Sequence, residues 1–160
     1  MQLILVRHTE AASVGQLGAT TDFDRPLTPR GHATARRLTD RLKAMGVRAD
    51  VVACSPLLRA QQTAAPLLEL TGREPVTIDH LAPDTHKPKK VARALADLGV
   101  GSAIAVGHLP DIAYFAGWLI GTGGAGVAFD KGTAALIEVG AKVEEGTGTL
   151  EWLMSPGCYL

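Results

Sequence analysis

Three short stretches of this chain end in residues suited to phosphoryl chemistry. "LILVRHTEA" (3–11) runs from four aliphatic residues straight into Arg7 and His8, "SPLLRA" (55–60) carries Arg59, and "VGHLPD" (106–111) carries His108. Arginine presents a planar fork of N–H donors that fits the oxygens of a phosphoryl group. An imidazole beside two guanidiniums is pushed toward its neutral form by like charge, and a neutral ring nitrogen is a nucleophile. Two arginines and two histidines at strand ends therefore point to a site built for a phosphoryl group, in which Arg7 holds the group that His8 attacks.

Positioning these residues is the task of the elements around them. Apolar runs near 2–6, 50–54, 75–78 and 102–107 have the length and the Val and Ile content of buried strands. They alternate with segments of helical period, the pattern of an α/β fold with a mostly parallel sheet flanked by helices. Thr133 to Val139 and Thr149 to Met154 flank a charged, Gly-rich turn and predict an antiparallel C-terminal edge. Thr28-Pro29 is a helix start, followed by Leu38, Leu42 and Met45 at helical spacing until Gly46. Ser55-Pro56 repeats the signal and opens a helix through Leu57, Leu58, Ala64 and Leu67, which Pro66 ends or kinks. A third helix is expected over Pro88 to Leu98. A fourth starts at Pro110 and runs into the glycines at 121, 123, 124 and 126, expected as a flexible loop. Ligands of open α/β sheets gather beyond the carboxyl ends of the strands, where helix N-termini add free N–H groups. Arg7-His8, Ser55 and His108 each follow a strand directly, so such a sheet would bring them together.

The totals bound what such a site could serve. A length of 160 residues fits a single domain spanning 1–160. Sixteen Lys plus Arg balance sixteen Asp plus Glu, so no long-range field draws in nucleic acid or an anionic membrane. The apolar runs are too short for a signal-peptide core or a bilayer span, which predicts a soluble, cytoplasmic protein. Cys54 and Cys158 have neither zinc-site spacing nor the density of a disulfide framework and read as inert thiols.

Taken together, "LVRHTEA", "RPLTPRG" (25–31), "SPLLRAQQTA" (55–64), "VGHLPD" and the closing "MSP" (154–156) resemble the histidine phosphatase superfamily, which includes cofactor-dependent phosphoglycerate mutases and acid phosphatases. Within it, the short chain and this set of motifs are most similar to the small SixA-type phosphohistidine phosphatases of bacteria. The resemblance implies a single-domain, three-layer, phosphoglycerate mutase-like fold. It also implies hydrolysis of phosphohistidine on a protein, such as a histidine phosphotransfer domain, through a transient phospho-His8. Arg7, Arg59 and His108 would bind the phosphoryl oxygens, and Arg25 would be a further arginine lining the pocket. Thr9 and Ser55 are candidate hydroxyl contacts, with Ser55 also read as a helix cap. Neither a metal nor a cofactor is implied, because the arginines and His108 supply the charge neutralisation that magnesium supplies elsewhere. A monomer is expected.

Many members of the superfamily place a carboxylic acid after the third strand to protonate the leaving oxygen. The corresponding stretch here is "HLAPDTH" (80–86), in which Asp84 is the candidate acid, although an Asp after Pro83 is also a turn former. His80 and His86 flank it and are expected on the surface of a mobile loop, and His32 is expected to be exposed. The weak acid signal favours a phosphoramidate, since a protonated phosphohistidine departs as neutral imidazole. Few residues separate the motifs, which predicts a shallow site open to a protein surface. Two other readings stay open: a small-molecule phosphomonoester phosphatase using the same pocket, and a non-catalytic phosphate-binding module.

Overall fold

Alternation along the first apolar run sends Leu3 and Leu5 into one core cluster and Ile4 and Val6 into another, and all four are buried. A strand buried on both faces needs helices on both sides. The computed structural model, which describes residues 1–123, 126–140 and 142–160, has that arrangement. Its strands are β1 (Gln2–Arg7), β2 (Val51–Cys54), β3 (Val76–Thr77), β4 (Ser102–Gly107), β5 (Ala134–Val139) and β6 (Gly148–Met154). They form one sheet in the order β3-β2-β4-β1-β5-β6, in which the first four are mutually parallel and the last two form an antiparallel edge.

Helices α1 (Pro29–Ala44) and α2 (Leu58–Leu67) cover one face, through Leu38, Leu42, Ala60, Ala64 and Leu67. Helices α3 (Pro88–Ala96) and α4 (Asp111–Leu119) cover the other, through Val91, Leu95, Ile112, Phe115 and Leu119. The start of α1 is the one read from sequence: the Thr28 hydroxyl accepts the Gly31 N–H at 3.0 Å, and Pro29 opens the first turn. Gly31 is required there, because a Cβ would fall on the Glu10 carbonyl oxygen.

Several local expectations need correction. Met45 lies just past the end of α1 and is exposed, so it is not part of the core stripe. Helix α2 begins at Leu58 rather than at Pro56, with no side-chain cap at Leu57, so Ser55 is not its cap; Arg59 is its second residue. Pro66 is tolerated in the last turn, after which Leu68–Leu70 tighten into a 3₁₀ turn. Helix α3 stops at Ala96, two residues early. Of the expected glycine loop, Gly124 lies outside the described residues.

Candidate active site

Strand register builds the site. Arg7 of β1 pairs with Gly107 of β4, and Val106 of β4 pairs with Cys54 of β2, so His8, His108 and Ser55 emerge side by side at the carboxyl ends of three adjacent parallel strands. The ladder continues one step further, with the His8 N–H on the Gly107 carbonyl and the Ser55 N–H on the Val106 carbonyl, each at 3.0 Å. The His8 and His108 rings lie 4.9 Å apart, centre to centre, about the spacing of neighbouring strands.

Both imidazoles are buried, His8 at 7% exposure and His108 at 2%. His8 Nδ1 lies 2.7 Å from the Thr9 carbonyl oxygen, which only accepts, so Nδ1 carries the proton. In the neutral ring Nε2 is then a bare lone pair, and it accepts from Arg59 Nε at 3.3 Å. Burial, first, and then the charges of Arg59, Arg7 and Lys131 push the His8 pKa down to about 4 against the pull of the Thr9 hydrogen bond. Like charge thus helps, as read from the sequence, but burial is the larger cause. His108 is pushed down to about 3 by burial, with His8 and Arg59 adding to it. Its Nε2 lies 2.8 Å from the Ser55 hydroxyl, which also accepts the Leu57 N–H at 3.2 Å. Either group of that pair can donate; in the tautomer where the Ser55 proton points at Nε2, His108 Nδ1 is an N–H donor, and that nitrogen has no partner among the described residues. Ser55 therefore orients His108 rather than capping a helix.

Arg59 is 4% exposed. Besides His8, its guanidinium serves a residue that sequence reasoning passed over, Asp22: Nη1 donates to the Asp22 carbonyl at 2.6 Å and Nη2 to its carboxylate at 3.0 Å. Arg25 meets the same carboxylate at 2.7 Å and donates through Nε to the Ala12 carbonyl at 2.6 Å, so it joins the site through Asp22. The hydrogen bond from Arg25, foremost, and that from Arg59 hold the Asp22 pKa below the usual carboxylate value despite its partial burial. Arg7, the last residue of β1, lines a neighbouring cleft with Glu10, Arg30, Asp130 and Lys131; its Nη1 donates to the Phe129 carbonyl at 2.8 Å, and its Nε is buried with no partner among the described residues.

Thr9 is fully buried, and its hydroxyl lies 3.3 Å from that of Thr63 on α2, away from solvent. Thr63 also accepts the Thr9 N–H at 3.1 Å and donates to the Arg59 carbonyl at 2.8 Å. One helical hydroxyl thus ties the His8 loop to the Arg59 turn, and Thr9 is a structural neighbour of the site rather than a contact facing the cleft. Asp84 sits in a left-handed turn, with φ 62°, and its N–H donates to Asp111 at 2.7 Å. The Asp111 carboxylate also takes the His86 N–H at 2.6 Å and the Thr85 hydroxyl at 3.3 Å. The expected mobile loop is therefore pinned to the first residue of α4. His86 and His32 are exposed, while His80 is half-buried at the edge of a small cavity beside His108.

Residues 12–26 form a loop closed at its base by the Ala12 N–H on the Pro26 carbonyl and held against the start of α2 by the Leu58 N–H on the Phe23 carbonyl, while the Leu27 N–H goes to the Gln62 side chain; through Asp22 the loop reaches the buried Arg59.

Comparison with known proteins follows the same lines. Residues 3–82 match the family model of the histidine phosphatase superfamily, branch 1. The chain is 33% identical over 161 residues to the phosphohistidine phosphatase SixA of Escherichia coli strain K12, covering 98% of this chain and 94% of that protein. The structure of the protein histidine phosphatase SixA complexed with tungstate superposes at a TM-score of 0.80 with 31% identity, covering 98% of both chains. The alpha-ribazole phosphatase of Shigella flexneri shares the fold at a TM-score of 0.74 and 22% identity, over 98% of this chain and 97% of that one.

Proposed function

The chain belongs to the histidine phosphatase superfamily, branch 1, and is a SixA-type phosphatase; from that premise we propose that it hydrolyses phosphohistidine on a partner protein through a covalent phospho-His8. The observation that carries the reading is the state of His8: neutral, its Nδ1 proton fixed on the Thr9 carbonyl, and its Nε2 lone pair beside a buried arginine.

In the first step the Arg59 Nε–H hydrogen bond passes from Nε2 to a phosphoryl oxygen, the freed Nε2 lone pair attacks phosphorus, and the P–N bond to the substrate ring breaks. A substrate imidazole protonated at its other nitrogen leaves neutral. The phosphoryl group on Nε2 leaves His8 with its Nδ1 proton still on Thr9, so no proton crosses between enzyme and substrate. In the second step water attacks phosphorus, the P–Nε2 bond breaks, its electrons return to Nε2, and the water protons leave with the phosphate. Arg59, Arg7 and the His108 N–H stabilise charge on the transferring oxygens, the role fixed donors play in such transition states. These groups supply the charge neutralisation, so the proposed route calls for no metal.

The carboxylates nearby support a phosphoramidate over an alkyl ester, which would need a proton on its leaving oxygen. Asp111 is committed to the 84–86 turn, and Asp22 is held ionised by two arginines. Within this reading residues 1–160 act as one phosphatase domain, as a monomer in the cytoplasm; no helix among the described residues is long and apolar enough to cross a membrane.

Rates of wild type and His8→Ala on a phosphohistidine-bearing protein and on an aryl phosphate, in chelator, test the proposal. The expected result is a strong wild-type preference for the phosphoprotein and no turnover by the variant. Residual turnover by His8→Ala would remove the nucleophile assignment. Faster hydrolysis of the aryl phosphate would favour a small-molecule phosphatase, and chelator sensitivity would refute the metal-free route.

A further inference from the structure

The Arg59 guanidinium carries the donors a phosphoryl group would use, and in this structure one residue takes them. Nη1 and Nη2 both go to Asp22, through its carbonyl at 2.6 Å and its carboxylate at 3.0 Å, while Nε goes to the attacking nitrogen of His8. The other Asp22 carboxylate oxygen takes Arg25 at 2.7 Å. A carboxylate held by two guanidiniums one residue away from a bare nucleophile repeats, in charge and in acceptor geometry, what two oxygens of a bound phosphoryl group would do. The two partners also differ in freedom. The Arg59 side chain, in the first turn of α2, is 5% exposed, whereas the Asp22 side chain is 58% exposed on the 12–26 loop. Whichever ligand arrives, the arginine stays and the carboxylate leaves.

We infer that Asp22 is a specificity-determining residue, an internal anion that competes with phosphoryl ligands for Arg59 and Arg25. The inference rests on the phosphatase reading above. Free inorganic phosphate brings only its own charge to displace Asp22, whereas a phosphohistidine on a protein adds contacts from the surface around it. The carboxylate thus discriminates against the small dianion and, by returning to Arg59 after hydrolysis, helps to expel the product.

The segment that carries Asp22 is built to hold this position. Asp24 accepts from the backbone and hydroxyls of both Thr20 and Thr21, forming a tight turn that encloses residue 22. The Leu58 N–H then fixes the Phe23 carbonyl at the start of α2, at 3.1 Å. The Asp22 carboxylate needs only its own side-chain torsions to swing clear of Arg59 Nη2 and of Arg25, while the frame and the Nη1 bond to the Asp22 carbonyl stay in place.

Inhibition by phosphate and by tungstate, measured for wild type, Asp22→Asn and Asp22→Ala, tests the inference. Both variants should be inhibited more strongly, with inhibition constants lowered roughly two- to fivefold, the scale of a partly exposed ion pair. A purely structural Asp22 predicts the opposite, since a disordered Arg59 would bind oxyanions more weakly. Unchanged or raised inhibition constants in both variants would overturn the inference. So would an equal tightening in Asp79→Asn, which removes the same charge from an exposed residue of the neighbouring loop without touching Arg59. The alanine variant guards against an asparagine amide that still bonds to Arg59, and urea melts confirm that both are folded. Wild type that neither binds tungstate nor hydrolyses any phosphate would refute the phosphatase reading itself; wild type that does both, with no tightening in the variants, would refute Asp22 alone.

Discussion

Replacing His8 by asparagine should change how stability depends on pH, and the size of the change follows from the site. An unfolded histidine takes up a proton near pH 6.5, whereas in the folded protein His8 does so only near 4. Between those values the unfolded chain binds one more proton than the folded one, so folding is penalised as the pH falls. The neutral ring's contribution is complete above 6.5, declines through the window, and falls no further below about 4. The distance between 6.5 and about 4, at about 1.4 kcal/mol per pH unit, is roughly 3 kcal/mol, of which about 2 kcal/mol is lost by pH 5. The cause is visible in the packing: the ring is 7% exposed, and a proton on Nε2 would face the Arg59 Nε–H. Asparagine cannot titrate but can still donate to the Thr9 carbonyl. Urea unfolding of wild type and His8→Asn at pH 7, 6 and 5 should show wild type losing ground to the variant by about 2 kcal/mol over that range. A difference that stays flat from pH 7 to 5 would mean that His8 titrates normally in the folded protein, and the neutral-nucleophile argument would fail with it.

Two further predictions concern the neighbours. Arg59→Ala should lower both turnover and tungstate affinity, with turnover down roughly 10²-fold or more, because a fixed donor to the transferring group is lost; an unchanged tungstate inhibition constant would place Arg59 outside the phosphoryl path. Asp111→Asn should loosen the 84–86 turn, whose donors depend on that carboxylate, at a cost of about 1–3 kcal/mol. Faster amide exchange at Asp84 and His86 would register it, and unaltered protection would show that the turn holds itself.

What was legible in the sequence was whatever the backbone decides. The β1 ending, the Thr28-Pro29 start of α1 and the strand–glycine–His108 junction are local patterns, and parallel pairing then brings His8 and His108 level without further information. What was illegible depends on where side chains point across long separations. Asp22 looks like a solvated turn residue until Arg59, 37 positions away, is found against it. Thr9 follows a histidine that faces the cleft and so reads as facing it too, yet its hydroxyl turns toward Thr63, 54 positions on. Ser55-Pro56 has the residues of a helix start, but the Ser55 hydroxyl is occupied by His108 and the Leu57 N–H.

The Thr63 hydroxyl accepts from the Thr9 backbone and donates to the Arg59 carbonyl, so the nucleophile's strand end and the cation's helical turn share one fastening. Rates fall steeply with misplacement, by about 10²-fold for 1 Å. Position 63 therefore bears on catalysis from outside the reacting set: a side chain there without the hydroxyl would leave the buried Thr9 N–H unpaired and the two elements that carry His8 and Arg59 unjoined at that point.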